Sequence, residues 1–476
     1  MNQAAASQAV AQLRSADGRL HVDTAAILRL AAPLMMTNAI QAVLNLTDTW
    51  FVGRLSTQAI AAMSAIYWIM SCAIMVLSGV GLAVQSFVSQ AAGAGRYRRA
   101  SQAGWNAIWA SALTLPAFCV LALSGNWLLQ PFHLGAQVQG LAIEYWQPRM
   151  FGAALGAMGW AVVGFFNGIG ATRTTMWIVL LICLSNVLLN QLCVFGLGMG
   201  VAGAAWGTNG AQAVGLLAGL CCMLKGKNAA RYRTAQTWRI SGAVLRRMFA
   251  IGLPIGVMYG ADILGLALFQ LMVGQVGAAS AAATQIVIML TSLAYMPTLG
   301  IASAGTTLVG QAIGQGDRAW AARVGNRVIA LCVATMASVA VILLIAGPLV
   351  IPWFAASGDA LAASTIALAL TFLWPAAAYQ AFDGLYFGSS FCLRAAGDTR
   401  VPALTALLLS WLLFVPLAHT LIFAPGHGWI AGLPQKGFGA LGGWLALMGY
   451  ATLLGSIMWL RWRSNRWRSM SLTRSS

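Results

Sequence analysis

The chain has 476 residues, of which 60% are hydrophobic and 8% charged, with a mean hydropathy of +0.78 and a formal net charge of +18. Soluble globular chains carry about 25% charged residues, so a water-soluble α/β enzyme or binding module is excluded. The basic residues occupy short gaps between apolar runs and the chain ends, with no basic domain and no RNA-binding motif, so the charge does not mark a nucleic-acid partner.

In chain order, residues 1–24 lack the apolar core of a cleavable signal peptide and read as a cytoplasmic tail with an interfacial start. A membrane-crossing helix needs about 20 apolar residues. Twelve such segments follow, at 25–53, 58–92, 103–124, 141–166, 176–198, 202–224, 248–274, 279–312, 325–350, 362–392, 401–424 and 438–460. Several are longer than a perpendicular crossing requires, which predicts tilt or bending. The fold class is therefore an all-α polytopic membrane protein. Eight cysteines, at 72, 119, 183, 193, 221, 222, 332 and 392, lie in apolar stretches without a CxxC pair, and read as small buried hydrophobes.

Basic residues in short loops set the orientation. With both termini in the cytoplasm, 24 of the 27 Lys and Arg residues fall on the inner side, leaving Arg54, Arg149 and Lys436 outside. The tail "RWRSNRWRSM" interleaves Trp and Arg directly after the last span, which reads as an anchor to anionic membrane lipids.

The two halves of the chain can be laid over each other. Pro33 aligns with Pro254, Val52 with Val273, and Gln90 of "QAAGAGR" with Gln311 of "QAIGQGDR", each at an offset of 221. "GATR" at 170–173 pairs with "GDTR" at 397–400, an offset of 227. This gives a lobe at 25–224, a basic cytoplasmic linker at 225–247, a second lobe at 248–460 and a basic tail at 461–476. An even number of spans per repeat leaves both lobes with the same topology, related by an axis along the membrane normal around a central cavity. Gly93, Gly95, Gly314 and Gly316 are expected to end the second and eighth spans with positive φ.

Ionisable groups inside the membrane are functional candidates. Of the nine acids, Asp17 and Asp23 lie in the tail, and Asp317, Asp359 and Asp398 in loops. Glu144 opens the fourth span and is expected to pair with Arg149. Asp48, Asp262 and Asp383 remain. Asp48 is five residues from Gly53, roughly 7.5 Å along a helix, so position alone allows an interfacial residue as readily as a functional one. Asn186 and Asn190 share a face of the fifth span, and Thr208 opens the sixth, so one carboxylate, two amides and a hydroxyl are available in the first lobe. Oxygen donors of this kind suit a small alkali cation; interhelical hydrogen bonding is the simpler alternative for the amides. In the second lobe Tyr379 and Asp383 are four apart, and Asp262 comes from another span.

Over nearly its whole length, from Pro33 to the twelfth span, the chain resembles the multidrug and toxic compound extrusion (MATE) family, and its NorM-type bacterial branch in particular. The resemblance rests on Pro33 with Asp48, "FVGRL", "QAAGAG", "GFFNGIGATRTTM", Asn186, Asn190 and Thr208, then "LPIGVMYGADIL", "GQAIGQGDRAWA", Tyr379 with Asp383 and "LRAAGDTRVP". It implies a bacterial inner-membrane antiporter that exports organic cations and other amphipathic drugs in exchange for inward Na+ or H+, acting as a monomer and without a cofactor. Asp48, Asn186, Asn190 and Thr208 then match the first-lobe cation site, and Asp262, Tyr379 and Asp383 the second-lobe acidic group. Either group is a candidate Na+ site. Asn190 stands where some relatives carry an acid, and Asp262 where NorM-type members often carry Glu.

Removal from water disfavours an ionised carboxylate, so a proton or Na+ is expected to neutralise Asp48 and bend the first helix at Pro33, a hinge position where a backbone hydrogen bond is already missing. No nucleotide-driven or catalytic chemistry is legible. Lys225, Lys227 and Lys436 form no GK[ST] loop, and His21, His133, His419 and His427 form no catalytic pairing. A flippase for a lipid-linked substrate from the same superfamily is the alternative; it would require a basic cavity, which the absence of Arg or Lys deep within a span argues against.

Overall fold

The computed structural model describes residues 11–14, 20–132, 134–354, 361–430, 432–470 and 472. Most of the N-terminal tail, with Asp17 and Arg19, lies outside these residues, as do His133, Asp359 and Arg474. The described part of the tail forms a short antiparallel hairpin, β1 (Gln12–Arg14) and β2 (Leu20–Val22).

Among the described residues, twelve helices have the length and hydropathy to cross a membrane: α1 (Thr24–Gly53), α2 (Thr57–Gly93), α3 (Tyr97–Leu123), α4 (Ala136–Gly168), α5 (Thr172–Gly196), α6 (Gly200–Leu224), α7 (Gly242–Val276), α8 (Ala278–Gly314), α9 (Arg318–Phe354), α10 (Ala362–Ala396), α11 (Arg400–Ile422) and α12 (Gly439–Arg463). All twelve expected spans are present; most helices run beyond the apolar stretch at one end or both, while the ends at Leu123, Gly196, Ile422 and Gly439 fall one or two residues short of it. Pro33 and Pro254 both sit inside their helices, and the carbonyl of Pro33 accepts the Thr37 hydroxyl at 2.8 Å.

Packing follows the repeat. Within the first lobe α2 packs on α4, α4 on α6 and α1 on α5; within the second, α8 packs on α10, α10 on α12 and α7 on α11. Between the lobes the contacts exchange partners: α2 lies against α7, and α1 against α8. Glycine makes both crossings close. A Cβ on Gly79 would come within 2.4 Å of the Gly252 carbonyl oxygen, and one on Gly300 within 2.7 Å of the Met35 nitrogen. Gly79 and Gly300 are again 221 apart.

Gly95 and Gly316 have φ of +68° and +88°, as a helix-ending glycine should. Gly93 and Gly314 do not: both remain helical, and what requires glycine there is contact across the lobes, taken up in the Discussion. The linker is also more ordered than a plain connection. It holds a short helix at Lys227–Tyr232, and its backbone carbonyls at Thr234 and Trp238 accept the indole N–H groups of Trp105 and Trp109, both at 2.9 Å.

The C-terminal segment departs most from its sequence reading. Trp467 is 1% exposed and stacks on Trp462 with ring centroids 4.3 Å apart. Trp462 donates to Asn326 Oδ1 at 2.8 Å, and Arg461 forms a 2.7 Å ion pair with Asp398. These tryptophans are spent on the protein's own surface and are not available to lipid.

Candidate functional sites in the two lobes

Asp48 is brought to its three expected partners. Asn186 Nδ2 and Asn190 Nδ2 donate to Asp48 Oδ1 at 2.9 and 2.7 Å, and Thr208 Oγ1 donates to Oδ2 at 3.2 Å. Asn190 Nδ2 also donates to Asn186 Oδ1 at 3.2 Å, so the two amides form a chain along one face of α5. Asn186, Asn190 and Thr208 are buried, whereas Asp48 is partly exposed.

Local sequence explains the fit. Asn190 needs room against α6, and Gly207 supplies it: a Cβ there would lie 2.1 Å from Asn190 Oδ1. Directly after Asn190 the helix widens into a π turn at Gln191–Gly196, a feature that often accompanies functional positions. Asn190 Oδ1 is buried without a hydrogen-bond partner. In a network of oxygens and amides that is a spare acceptor.

The expected pair of Glu144 and Arg149 does not form. Glu144 is exposed, and Arg149 turns inward to donate to Asn209 Oδ1 at 3.1 Å, while Asn209 Nδ2 donates to the Pro148 carbonyl at 2.6 Å. Helical direction decides this: Glu144 and Arg149 are five apart, so they do not share the face that three- or four-residue neighbours share.

In the second lobe Asp262 and Asp383 line one cavity of about 410 Å³ together with Tyr379. Asp262 accepts from Tyr386 at 2.8 Å and from Tyr450 at 2.8 Å, and Asp383 accepts from Tyr295. Tyr379 lies in the cavity wall, but the hydroxyl that reaches Asp383 is that of Tyr295. Phe387, Phe414 and Trp68 of the first lobe add aromatic faces. Sequence reading missed Tyr295, Tyr386 and Tyr450, because each hydroxyl reaches a carboxylate on a different helix and no spacing within a span reveals that. A second π turn, Leu409–Phe414 in α11, places Ser410 and Phe414 in the wall.

A second cavity, of about 400 Å³, lies between the lobes. Arg394 of α10 is in its wall and only 7% exposed. Arg394 lies two residues past the expected tenth span, so it is not deep within one, yet packing buries it. Arg394 sits near the end of its helix, and from sequence it resembles a solvated flank; only packing shows that it turns inward.

These features have clear relatives. The MatE family model matches residues 33–192 and 254–420, two stretches whose starts are 221 apart, so the duplication read from the sequence is that of the family's own repeat. The chain is 30% identical over 445 residues to "Probable multidrug resistance protein NorM" of Burkholderia pseudomallei (strain K96243), covering 92% of each chain. It is also 30% identical over 414 residues to "Multidrug resistance protein NorM" of Burkholderia vietnamiensis, covering 86% of this chain and 88% of the relative. The fold matches a crystal structure of MATE in the bent conformation with a TM-score of 0.80 at 18% identity, covering 92% of this chain and 94% of that one. It matches a straight conformation with a TM-score of 0.79 at 19% identity, covering 92% and 95%. A twelve-helix chain with this repeat, matched over both halves and along most of its length, belongs to the MatE family of multidrug efflux transporters.

Proposed function

We propose that the protein is a secondary active antiporter of a bacterial inner membrane, exporting lipophilic and cationic toxic compounds in exchange for inward Na+ or H+. In this reading both termini are cytoplasmic, the chain works as a monomer among membrane lipids, and it carries out transport without catalytic chemistry. The names of its relatives support the multidrug assignment. The observation that carries the coupling is the convergence of donors from α5 and α6 on the Asp48 carboxylate of α1.

Three donors facing one carboxylate suit its ionised form. Na+ competes for the same oxygens and needs the amides to rotate so that they present oxygen; Asn190 Oδ1, without a partner, is available for that. A proton instead converts an acceptor-only group into one with a donor, and one of the three present donors must turn away. Either event loosens α1 from α5 and α6. Helix α1 also touches the other lobe, where Asn38 Nδ2 donates to the Met296 carbonyl of α8 at 3.3 Å. A bend at Pro33 would therefore be felt at the lobe boundary.

The Asp262–Asp383 cavity supports the substrate class. Two carboxylates within aromatic walls attract an organic cation through charge and ring faces. Coupling requires ion and substrate to prefer different states, since a ligand with equal affinity for both shifts nothing. The test is ethidium efflux from reconstituted proteoliposomes under a Na+ gradient and a proton gradient imposed separately. Gradient-driven efflux under at least one supports the reading, and its absence under both sinks it.

A further inference from the structure

The cavity between the lobes has the opposite polarity to the Asp262–Asp383 cavity. Its polar wall consists of amides and hydroxyls, among them Gln41, Gln85, Asn167 and Gln212, and no Asp or Glu is part of its lining. Its one permanent charge is Arg394.

That guanidinium has no carboxylate partner among the described residues. Its Cζ lies 4.1 Å from the centroid of the Phe391 ring, and its Nε has no hydrogen-bond partner. The acid nearest to it in the chain, Asp398, is committed to Arg461 at 2.7 Å. Tyr259, the other ionisable residue in the wall, is a neutral phenol that hydrogen-bonds the guanidinium without bringing it a charge. A buried cation that faces a phenol and an aromatic ring but no carboxylate, at the edge of a cavity, is poorly compensated until an anion arrives. Asn167 holds the equivalent place in the first repeat, 227 residues earlier, and lines the same cavity. Its Oδ1 is occupied by the Thr175 hydroxyl at 2.7 Å, which turns its Nδ2 hydrogens to other partners.

We infer that this cavity takes the anionic end of a substrate, a carboxylate on a lipophilic organic molecule, with Arg394 as its counter-ion and Asn167 as a second donor. The planar guanidinium matches a carboxylate in geometry as well as charge. One cation suits a monovalent anion; a pyrophosphate, with at least two charges, would be left under-neutralised. The inference rests on the export function proposed above and assigns the anionic end of a substrate to this cavity and to Arg394.

The experiment uses the purified full-length protein and two rhodamine dyes, one with a free carboxylate and the other its ethyl ester, so that the pair differs by one negative charge. Binding is followed by fluorescence polarisation. Arg394→Gln is expected to lower the ratio of acid to ester affinity by about tenfold, and Arg394→Lys to recover a large part of it. The ratio is insensitive to partial loss of folded protein, because both dyes report on the same preparation. If the wild type binds both dyes and the ratio is unchanged in Arg394→Gln, this inference is overturned and the export reading stands. A wild type that binds neither dye overturns both.

Discussion

Gln90 and Gln311 hold equivalent places in the two repeats, and each donates its side-chain amide to a main-chain carbonyl of the opposite lobe: Gln90 to Ala395 at 2.7 Å and Gln311 to Gly168 at 3.1 Å. The acceptors are 227 residues apart, so the pair is one contact made twice. Between them the ends of α2 and α8 cross on bare backbone. A Cβ on Gly93 would lie 2.1 Å from the Gln311 carbonyl oxygen, and one on Gly314 would lie 2.1 Å from that of Gln90. Leu472 of the tail adds a third tie, donating its N–H to Gln90 Oε1 at 3.0 Å. In the orientation proposed above this crossing lies on the cytoplasmic side.

Replacing either glycine by alanine decides whether helix propensity or this contact dominates. Propensity alone favours alanine, by less than the roughly 1 kcal/mol of a helix interior because both glycines are the last helical residues. The backbone clash reverses the sign, because no flexible side chain is there to yield. Gly93→Ala and Gly314→Ala should each lower the melting temperature by several degrees, while Gly449→Ala, with nothing within 4 Å, should leave it level or raise it. Equal melting temperatures for all three would contradict the crossing.

At the first-lobe site, Asn190→Asp sets a second carboxylate where Nδ2 now lies 2.7 Å from Asp48 Oδ1. Two carboxylates at that separation repel unless they share a cation or a proton. The variant is expected to be less stable than the wild type in Na+-free alkaline buffer and to gain more from added Na+, since a ligand that binds only the folded state stabilises it. Thermal unfolding with and without Na+ measures this; an identical Na+ response in both proteins would remove the amides from the cation shell.

The tyrosines around Asp262 give a test by rescue. Tyr386→Phe and Tyr450→Phe each delete a hydrogen bond to a charged group, with an expected loss of about 1.5–3 kcal/mol. Adding Asp262→Asn to the double variant should restore stability, because the uncompensated carboxylate is removed. A triple variant less stable than the double would show that the two hydroxyls serve something other than Asp262.

The Arg461–Asp398 pair predicts an asymmetry. Asp398 is 2% exposed and Arg461 15%. Arg461→Met strands a buried carboxylate and is expected to destabilise by about 3–5 kcal/mol. Asp398→Asn leaves a longer side chain that can reach water, and should cost less. Chemical denaturation of the two variants in one detergent compares them directly, and equal losses would argue against the asymmetry.

Much of this was legible in the sequence because the bilayer imposes its own periodicity. Twelve apolar runs, the 221-residue offset and the rarity of acids within spans are one-dimensional signals that singled out Asp48, Asp262 and Asp383, and the resemblance to the MATE family joined Asn186, Asn190 and Thr208 to Asp48. Contacts between helices carry no such signal. Tyr295, Tyr386 and Tyr450 reach carboxylates on other spans, Arg394 resembles an ordinary flanking arginine until packing turns it inward, and Gly93 looks like a helix-ending glycine although it is needed for close approach. The tail tryptophans carry the same ambiguity: composition fits lipid contact as well as burial, and only the stacking of Trp467 on Trp462 separates the two.

The central claim is that Asp48 couples the ion to the substrate, and Asp48→Asn in proteoliposomes tests it most directly. Two rates are compared in the same vesicles: ethidium efflux against its concentration gradient, driven by Na+ or protons, and ethidium exchange at equal concentrations with no ion gradient. The account predicts that the variant loses driven efflux at least tenfold, roughly 1.4 kcal/mol or more, while exchange continues. Driven efflux at the wild-type rate in Asp48→Asn would contradict it.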